Sequence, residues 1–272
     1  MVLPQKPGGI RPPWRDELDL NIDQSSIYEF TLATIDRNSA GQPIPRARIC
    51  SCRGFFPELD IHPNGRKDFE EQEDGDNPPV YESDLLSFST DIRMEKLAQI
   101  ETSGHSVEAL FWLKDMMTQW RVQGLAYAIG DPVGEENEKE KSARDIIGPQ
   151  LRVKPDIEDL DLLNKWTWDR AVTKYFAKHS PLMRGSFIRP HPGLPRSDSP
   201  SDKFVEKGHR ITDLHDVGAR SNFRVVLIIP EEVERLDISD YDNFRRIRWN
   251  LVKSVDEDGQ PQNHWEETEL NP

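Results

Sequence analysis

A mainly β, α+β fold built on an antiparallel barrel with flanking helices is what this sequence predicts. Three observations carry that expectation. Short runs of strand composition recur along the chain, each bounded by Gly, Pro, Asn or Asp. Helical stretches are few. The phosphate-binding loops of a parallel βαβ sheet, GxGxxG and GxxxxGK[ST], do not occur, and neither does the GxSxG elbow.

The elements follow in order. The first 16 residues are rich in Pro and Gly and are expected to wrap the surface. Ile27–Asp36 (IYEFTLATID) has strand composition, and Arg37–Gly41 supplies turn residues. Arg46–Phe56 (RARICSCRGFF) then completes a hairpin. Leu85–Thr90 is a further strand, running into a helix expected over Asp91–Ile100 with Asp91 as its N-cap. Ser106–Trp112 and Met117–Ile129 make another strand pair. A helix is expected over Ile157–His179, carrying Leu160, Leu163, Trp166 and Phe176, and Ser180–Lys207, with five prolines, reads as an irregular loop. Phe223–Ile229 and Phe244–Val252 close the series as strands. There is no internal repeat, so residues 1–272 are expected to form one domain.

Composition narrows the function. With 272 residues, 35% hydrophobic and 31% charged, the chain can bury a sizeable core. Its seven Trp, eleven Phe and five Tyr are too many aromatics for a solvated tail. No run approaches the ~18 apolar residues of a membrane span, and Met1–Gly9 lacks the apolar stretch of a secretory signal. The net charge of −14 is concentrated in two places: Asp68–Asp76 carries −6 and Asp131–Asp161 carries −5. These are expected to be solvated acidic insertions, at about 57–83 and 131–161, and a negative chain is a poor match for nucleic acid. Cys50 and Cys52, two apart on a strand, share a face and read as reduced apolar residues of a cytoplasmic protein. The seven His are scattered without a metal-ligand spacing.

Three stretches offer chemistry. Period-2 alternation puts Arg48, Cys50 and Cys52 on one face and Ser51 and Arg53 on the other, leaving room for a planar ligand beside small side chains. Thr90, Arg93 and Lys96 bring a hydroxyl and two cations, three residues apart, to a helix start, which suits an anion. Gln119 offers an amide to a heterocycle edge, although an ordinary outward-facing polar residue is the simpler reading.

In order and spacing these stretches resemble a known family. Pro13-Trp14-Arg15, Arg46-Ala47-Arg48 through Arg53-Gly54-Phe55, Phe88 through Lys96, and Gln119 through Gly124 are similar to the FMN-binding split-barrel proteins related to pyridoxamine 5'-phosphate oxidase. The likeness is greatest to a subgroup of oxidase-like FMN-binding proteins from fungi and cyanobacteria. Weaker matches follow at Ser180–Gly193, at Arg245-Arg246, and at Trp265 and Pro272. The resemblance implies a split barrel, FMN as cofactor, and a homodimer whose sites draw on both subunits. It implies that Arg48 and Lys96 grip the FMN phosphate, with Thr90 joining them and Arg93 beside them. Ile49, Cys50 and Ser51 would line the flavin ring through their backbone. Gln119 would reach the flavin from the facing subunit, and Arg246 would stand near its pyrimidine edge.

The chain departs from the family pattern at four positions. Met94 replaces a phosphate-binding Ser, and Asp242 and Phe244 stand where the oxidases hold substrate with an Arg and a His. Leu236 replaces a flavin-flanking Trp. The reading is therefore an FMN flavoprotein, an oxidoreductase on a small substrate and not an efficient pyridoxamine 5'-phosphate oxidase. The alternatives are a split barrel that holds flavin or haem without turnover, and an interaction protein that recruits a basic partner through its acidic segments.

Overall fold

Apolar–polar alternation builds the sheet strand by strand. The computed structural model describes residues 3, 11–25, 28–72, 75–131, 138–195, 197, 209–254 and 263–272. Helix α1 (Arg15–Gln24) is followed by β1 (Glu29–Arg37) and β2 (Pro43–Phe55), then α2 (Pro63–Gln72), β3 (Tyr81–Glu82), β4 (Leu86–Asp91) and α3 (Glu95–Thr102). Next come β5 (Ser106–Leu113), β6 (Thr118–Ile129), α4 (Glu138–Ile147), β7 (Arg152–Val153), α5 (Trp168–Ala177) and α6 (Pro181–Arg184). The chain closes with α7 (Val217–Asn222), β8 (Phe223–Asp237), β9 (Arg245–Val252) and β10 (His264–Leu270). In β1, Phe30, Leu32 and Thr34 are buried while their neighbours are not, the mark of a strand with one face on a core.

Eight strands form one antiparallel sheet in the order β10-β9-β8-β4-β2-β1-β5-β6. A further pairing of β6 with β8 closes six of them into a barrel. Phe30, Phe88, Phe111 and Trp120 belong to its core, and Trp249 on β9 stacks on Trp120. Helix α1 packs on the same core through Leu18 and Ile22. Trp14 is fully buried there, and the Arg15 guanidinium, 1% exposed, lies 3.3 Å over the Phe55 ring and pairs with Asp19 at 2.8 Å. This corrects the expectation that residues up to 16 only wrap the surface; residues 1–2 and 4–10 of that stretch lie outside the described ones.

The acidic segments are more than solvated insertions. Phe69, Val80 and Tyr81 from the first, and Ile147, Leu151 and Val153 from the second, join a second apolar cluster with Trp166, Trp168 and Tyr175. The two segments meet directly, because β3 pairs antiparallel with β7, Tyr81 opposite Val153. Arg184, 1% exposed, pairs with Asp68 of the first segment, and Arg220, equally buried, pairs with Asp131 of the second at 2.9 Å, so the acidic excess is partly internalised as ion pairs.

Other boundaries move for identifiable reasons. The helix expected over Ile157–His179 is broken into a 3₁₀ segment, Leu160–Lys165, and α5, because Thr167 adopts an extended conformation and caps α5 by accepting from the Arg170 N–H. The expected loop Ser180–Lys207 begins with α6 and a 3₁₀ turn, Gly185–Ile188, while 196 and 198–207 lie outside the described residues, as does Ile27 of the first expected strand. β8 runs to Asp237, well past Ile229. Among the described residues no helix is long and apolar enough to cross a membrane.

Candidate functional site

The barrel opens between β2 and β4. β1 accompanies β2 from Ser51 to Pro43, whereas β4 pairs with it only at Cys52–Phe88 and Phe55–Leu86. Beyond Cys52 the two strands part, and among the described residues no strand lies beside the β2 edge facing β4. Ile49, 71% exposed, and Ser51, also exposed, lie along that edge. An unpaired strand edge presents backbone N–H and C=O groups to whatever lies against it.

Arg48, Thr90 and Lys96 come together at this parting. Lys96, in the first turn of α3, donates from Nζ to Thr90 Oγ1 at 3.0 Å. Arg48 is anchored from behind by Thr34 Oγ1 at 2.6 Å, by the Leu32 carbonyl at 3.2 Å and by Gln99 Oε1. Neither cation has a carboxylate ion-pair partner among the described residues. Burial pushes the Lys96 ammonium below the usual lysine range; the Cys50 thiol opposes this and the Arg48 charge adds to it. Burial likewise lowers Arg48. Two half-buried, mutually repelling cations, each held by its own threonine hydroxyl, suit a dianion such as a phosphate monoester.

Cys50 and Cys52 do share the Arg48 face, but they are 8% and 4% exposed and belong to the barrel core. Their small side chains therefore leave no room for a planar ligand on that face. The open surface is the opposite one, carrying Ile49 and Ser51.

Arg93 is placed differently from its expected position. Helix α3 begins only at Glu95, with Met94 as its extended N-cap, and Asp91 ends β4 instead of capping a helix. Arg93 thus precedes the helix and does not share a helical face with Lys96. Its Nε and Nη2 donate to the two Asp91 carboxylate oxygens at 2.9 and 2.7 Å. Its remaining donors meet the carbonyls of Arg189 at 2.8 Å and Phe187 at 3.0 Å. The side chain is a clasp between the end of β4 and the 3₁₀ turn.

Gln119 and Arg246 form a second group. Gln119 on β6 is opposite Leu236 on β8, and Leu236 is opposite Arg246 on β9, so the three stand in one row across the sheet. Directly paired residues share a face, here the outward one. Arg246 Nη2 donates to Glu234 Oε1 at 2.8 Å.

A groove of about 900 Å³ starts at Ser51 and runs past Tyr28, Glu29 and Asp60 to Lys178. Arg53 stands in it with a buried Nε that has no hydrogen-bond partner, and without an ion pair among the described residues. Burial lowers its pKa, as it does that of Lys178 beside it. Alternation from Ser51 places Arg53 on this face. No sequence signal brings Lys178, from the end of α5, to meet it.

The geometry can be set beside known proteins. Residues 11–130 match the family model described as pyridoxamine 5'-phosphate oxidase, FMN-binding domain. No curated protein matches the chain in sequence. Among solved structures, a pyridoxamine 5'-phosphate oxidase-related, FMN binding protein from Nostoc punctiforme is similar with a TM-score of 0.58 at 18% identity, over 97% of this chain and 100% of that one. PhzG from Burkholderia lata, in complex with tetrahydrophenazine-1-carboxylic acid, has a TM-score of 0.47 at 14% identity, over 97% and 98% of the two chains. A heme binding protein from Mycobacterium smegmatis has a TM-score of 0.33 at 11% identity, over 88% of this chain and 59% of that one. At 18% identity the likeness to the Nostoc protein is one of fold: a mainly antiparallel β sheet with flanking helices. Residues 11–130, which hold Arg48, Thr90, Lys96 and Gln119, therefore match the FMN-binding domain family of pyridoxamine 5'-phosphate oxidase, within a chain that has the split-barrel fold.

Proposed function

We propose that this protein is an FMN-dependent oxidoreductase acting on a small substrate, of the subgroup of oxidase-like FMN-binding proteins, and working as a cytoplasmic homodimer. The observation that carries the reading is a pair of cations without carboxylate partners among the described residues, Arg48 held by Thr34 and Gln99 and Lys96 held by Thr90, beside the open edge of β2. That donor set fits the phosphate of FMN, and the free strand edge at Ile49–Ser51 fits a heterocycle that needs hydrogen bonds along one side.

When bound, FMN supplies the hydride or electron chemistry. The chain's own residues do the rest. Arg48, held by Thr34 and Gln99, and Lys96, held by Thr90, neutralise the phosphate without having to reorganise. The groove from Ser51 past Arg53 adjoins that site and is large enough for a small-molecule substrate. Gln119 and Arg246 stand on a different surface of the same chain, which supports a site completed by the facing subunit.

The test is to add FMN to the purified protein, remove excess, and record the absorbance. Retained yellow colour, bleached by a reduced nicotinamide and restored by air, is the expected result. Retained colour that no reductant substrate bleaches points to a flavin carrier without turnover, and retention of haem in place of flavin points to a haem module. A colourless protein after either cofactor overturns the reading.

A further inference from the structure

Glu234 is 2% exposed although it stands on the outward row of β8, opposite Arg121 on β6 and Arg248 on β9. Three guanidinium groups cover it. Arg246 Nη2 lies 2.8 Å from Oε1; Arg248 Nη2 and Nε lie 2.8 and 3.1 Å from Oε2; and Arg121 Nη1 lies 3.5 Å from Oε1. The three arginines do not depend on Glu234 equally. Arg121 has its own two-point partner in Glu108, at 2.9 and 2.8 Å, and Arg248 has Glu232 at 3.5 Å. The Arg246 side chain has no other hydrogen bond or ion pair among the described residues, and its Nε is buried without a partner. Glu234 is thus the single described group that fixes the Arg246 guanidinium, one row away from Gln119 and Leu236. Burial pushes the Glu234 carboxyl up, but hydrogen bonds from Arg246 and Arg248 outweigh it and hold the group below the usual carboxylate range.

We infer that Glu234 is a positioning residue: it holds Arg246 in the orientation from which the guanidinium meets the edge of the bound isoalloxazine ring. The inference rests on the FMN reading above. A long side chain, 30% exposed and anchored at one end only, would otherwise sample many rotamers. A buried carboxylate gripping Nη2, with Nε buried beside it, leaves Nη1 as the donor available to a ligand. Glu234 touches neither substrate nor cofactor on this account.

The test measures FMN affinity and the flavin reduction potential of full-length Glu234→Gln, Arg246→Ala and the double variant. The expected result is that Glu234→Gln weakens FMN by roughly tenfold and lowers the potential, in the same direction as Arg246→Ala. The double variant should be no worse than Arg246→Ala alone, because the two act through one contact. Should Glu234→Gln fail to fold, Glu234→Asp keeps the charge but withdraws it by one methylene, and a smaller shift of the same sign is expected. Arg248→Gln, which leaves the Arg246 contact in place, should leave both readouts near wild type. An unchanged potential in Glu234→Gln overturns the proposal. So does a raised potential, which would make Glu234 a mere counter-charge, and so does additivity in the double variant. Failure of the wild-type protein to retain FMN sinks the underlying reading instead, and the proposal with it.

Discussion

The ammonium of Lys96 donates to the hydroxyl of Thr90 across 3.0 Å, joining the first turn of α3 to the end of β4 at the point where β4 leaves β2. Neither strand alone makes an anion site; the parting of the two does. Arg48→Ala and Lys96→Ala should each weaken FMN binding by about ten- to a hundredfold, the value of a charge-assisted phosphate contact. Glu95→Ala, an exposed neighbour, should bind as wild type. Fluorescence titration of the three variants decides this, and equal affinity in all three would move the phosphate elsewhere.

The FMN-loaded protein should be a homodimer. Gln119 and Arg246 lie on the outward face of β6 and β9, apart from the set on β2, β4 and α3, so a complete site needs a second chain. Light scattering of the loaded protein should give twice 31.4 kDa; a monomer mass counts decisively against it.

Pyridoxamine 5'-phosphate should be a poor substrate. Asp242 and Phe244 precede β9 on the exposed surface, and Asp242 would repel a phosphate dianion where the oxidases offer an Arg. Loaded protein incubated with this compound in air should form little pyridoxal 5'-phosphate or peroxide. Turnover near one per second, an ordinary enzyme rate of roughly that order, would show that the substrate site survives.

Gly124→Ala should destabilise the fold and loosen the Gln119 row. A Cβ at this position would lie 2.0 Å from the Ile229 carbonyl oxygen, backbone that cannot step aside. Overpacking of this kind costs about 1–3 kcal/mol or more. Chemical denaturation should show it, and an unchanged midpoint would mean that β6 and β8 can separate without loss.

His179 should make the protein acid-sensitive. Burial, then the charges of Arg53, Arg184 and Lys178, lower its pKa from 6.5 to about 3. The folded state therefore binds fewer protons than the unfolded state between those values. Stability is complete above pH 6.5 and falls as pH drops toward 3. The loss reaches about 5 kcal/mol at most. His179→Phe, which keeps the ring among Phe187 and Phe223, should flatten that slope. An identical pH profile in the variant would assign the acid sensitivity to other groups.

Much of this was legible in the residues. Strand alternation locates β1, β2, β5 and β6 to within a few positions, because each has one face on a core, while β4, buried on both faces, is located by its short apolar composition. The pairing of Lys96 with Thr90 also follows from sequence, since six residues of strand end and helix start bring them together. What sequence hid was non-local. Trp14 and Arg15 sit among prolines and look like surface, yet α1 buries both. The acidic segments look solvated because charge is counted along the chain, while Arg184 and Arg220, distant in sequence, neutralise Asp68 and Asp131 across it. Arg93 misled for a similar reason. Its charge is taken by Asp91, two residues back, and its remaining donors by the carbonyls of Phe187 and Arg189, which no helical spacing could reveal.

β8 pairs with β4, β6 and β9 at once, Thr90 opposite Arg224 near its start and Leu236 opposite both Gln119 and Arg246 near its end. The single irregularity between these marks falls at Gln123/Gly124, where Glu231 is the extra residue on the β8 side. The strand therefore works as a graduated ruler on which both halves of the proposed site are read. Adding or deleting one residue between Arg224 and Leu236 would displace one half by about 3.3 Å and turn its side chains to the other face. The two acidic segments, by contrast, leave and rejoin the sheet at strand ends, so their length can vary without changing a single mark on that scale.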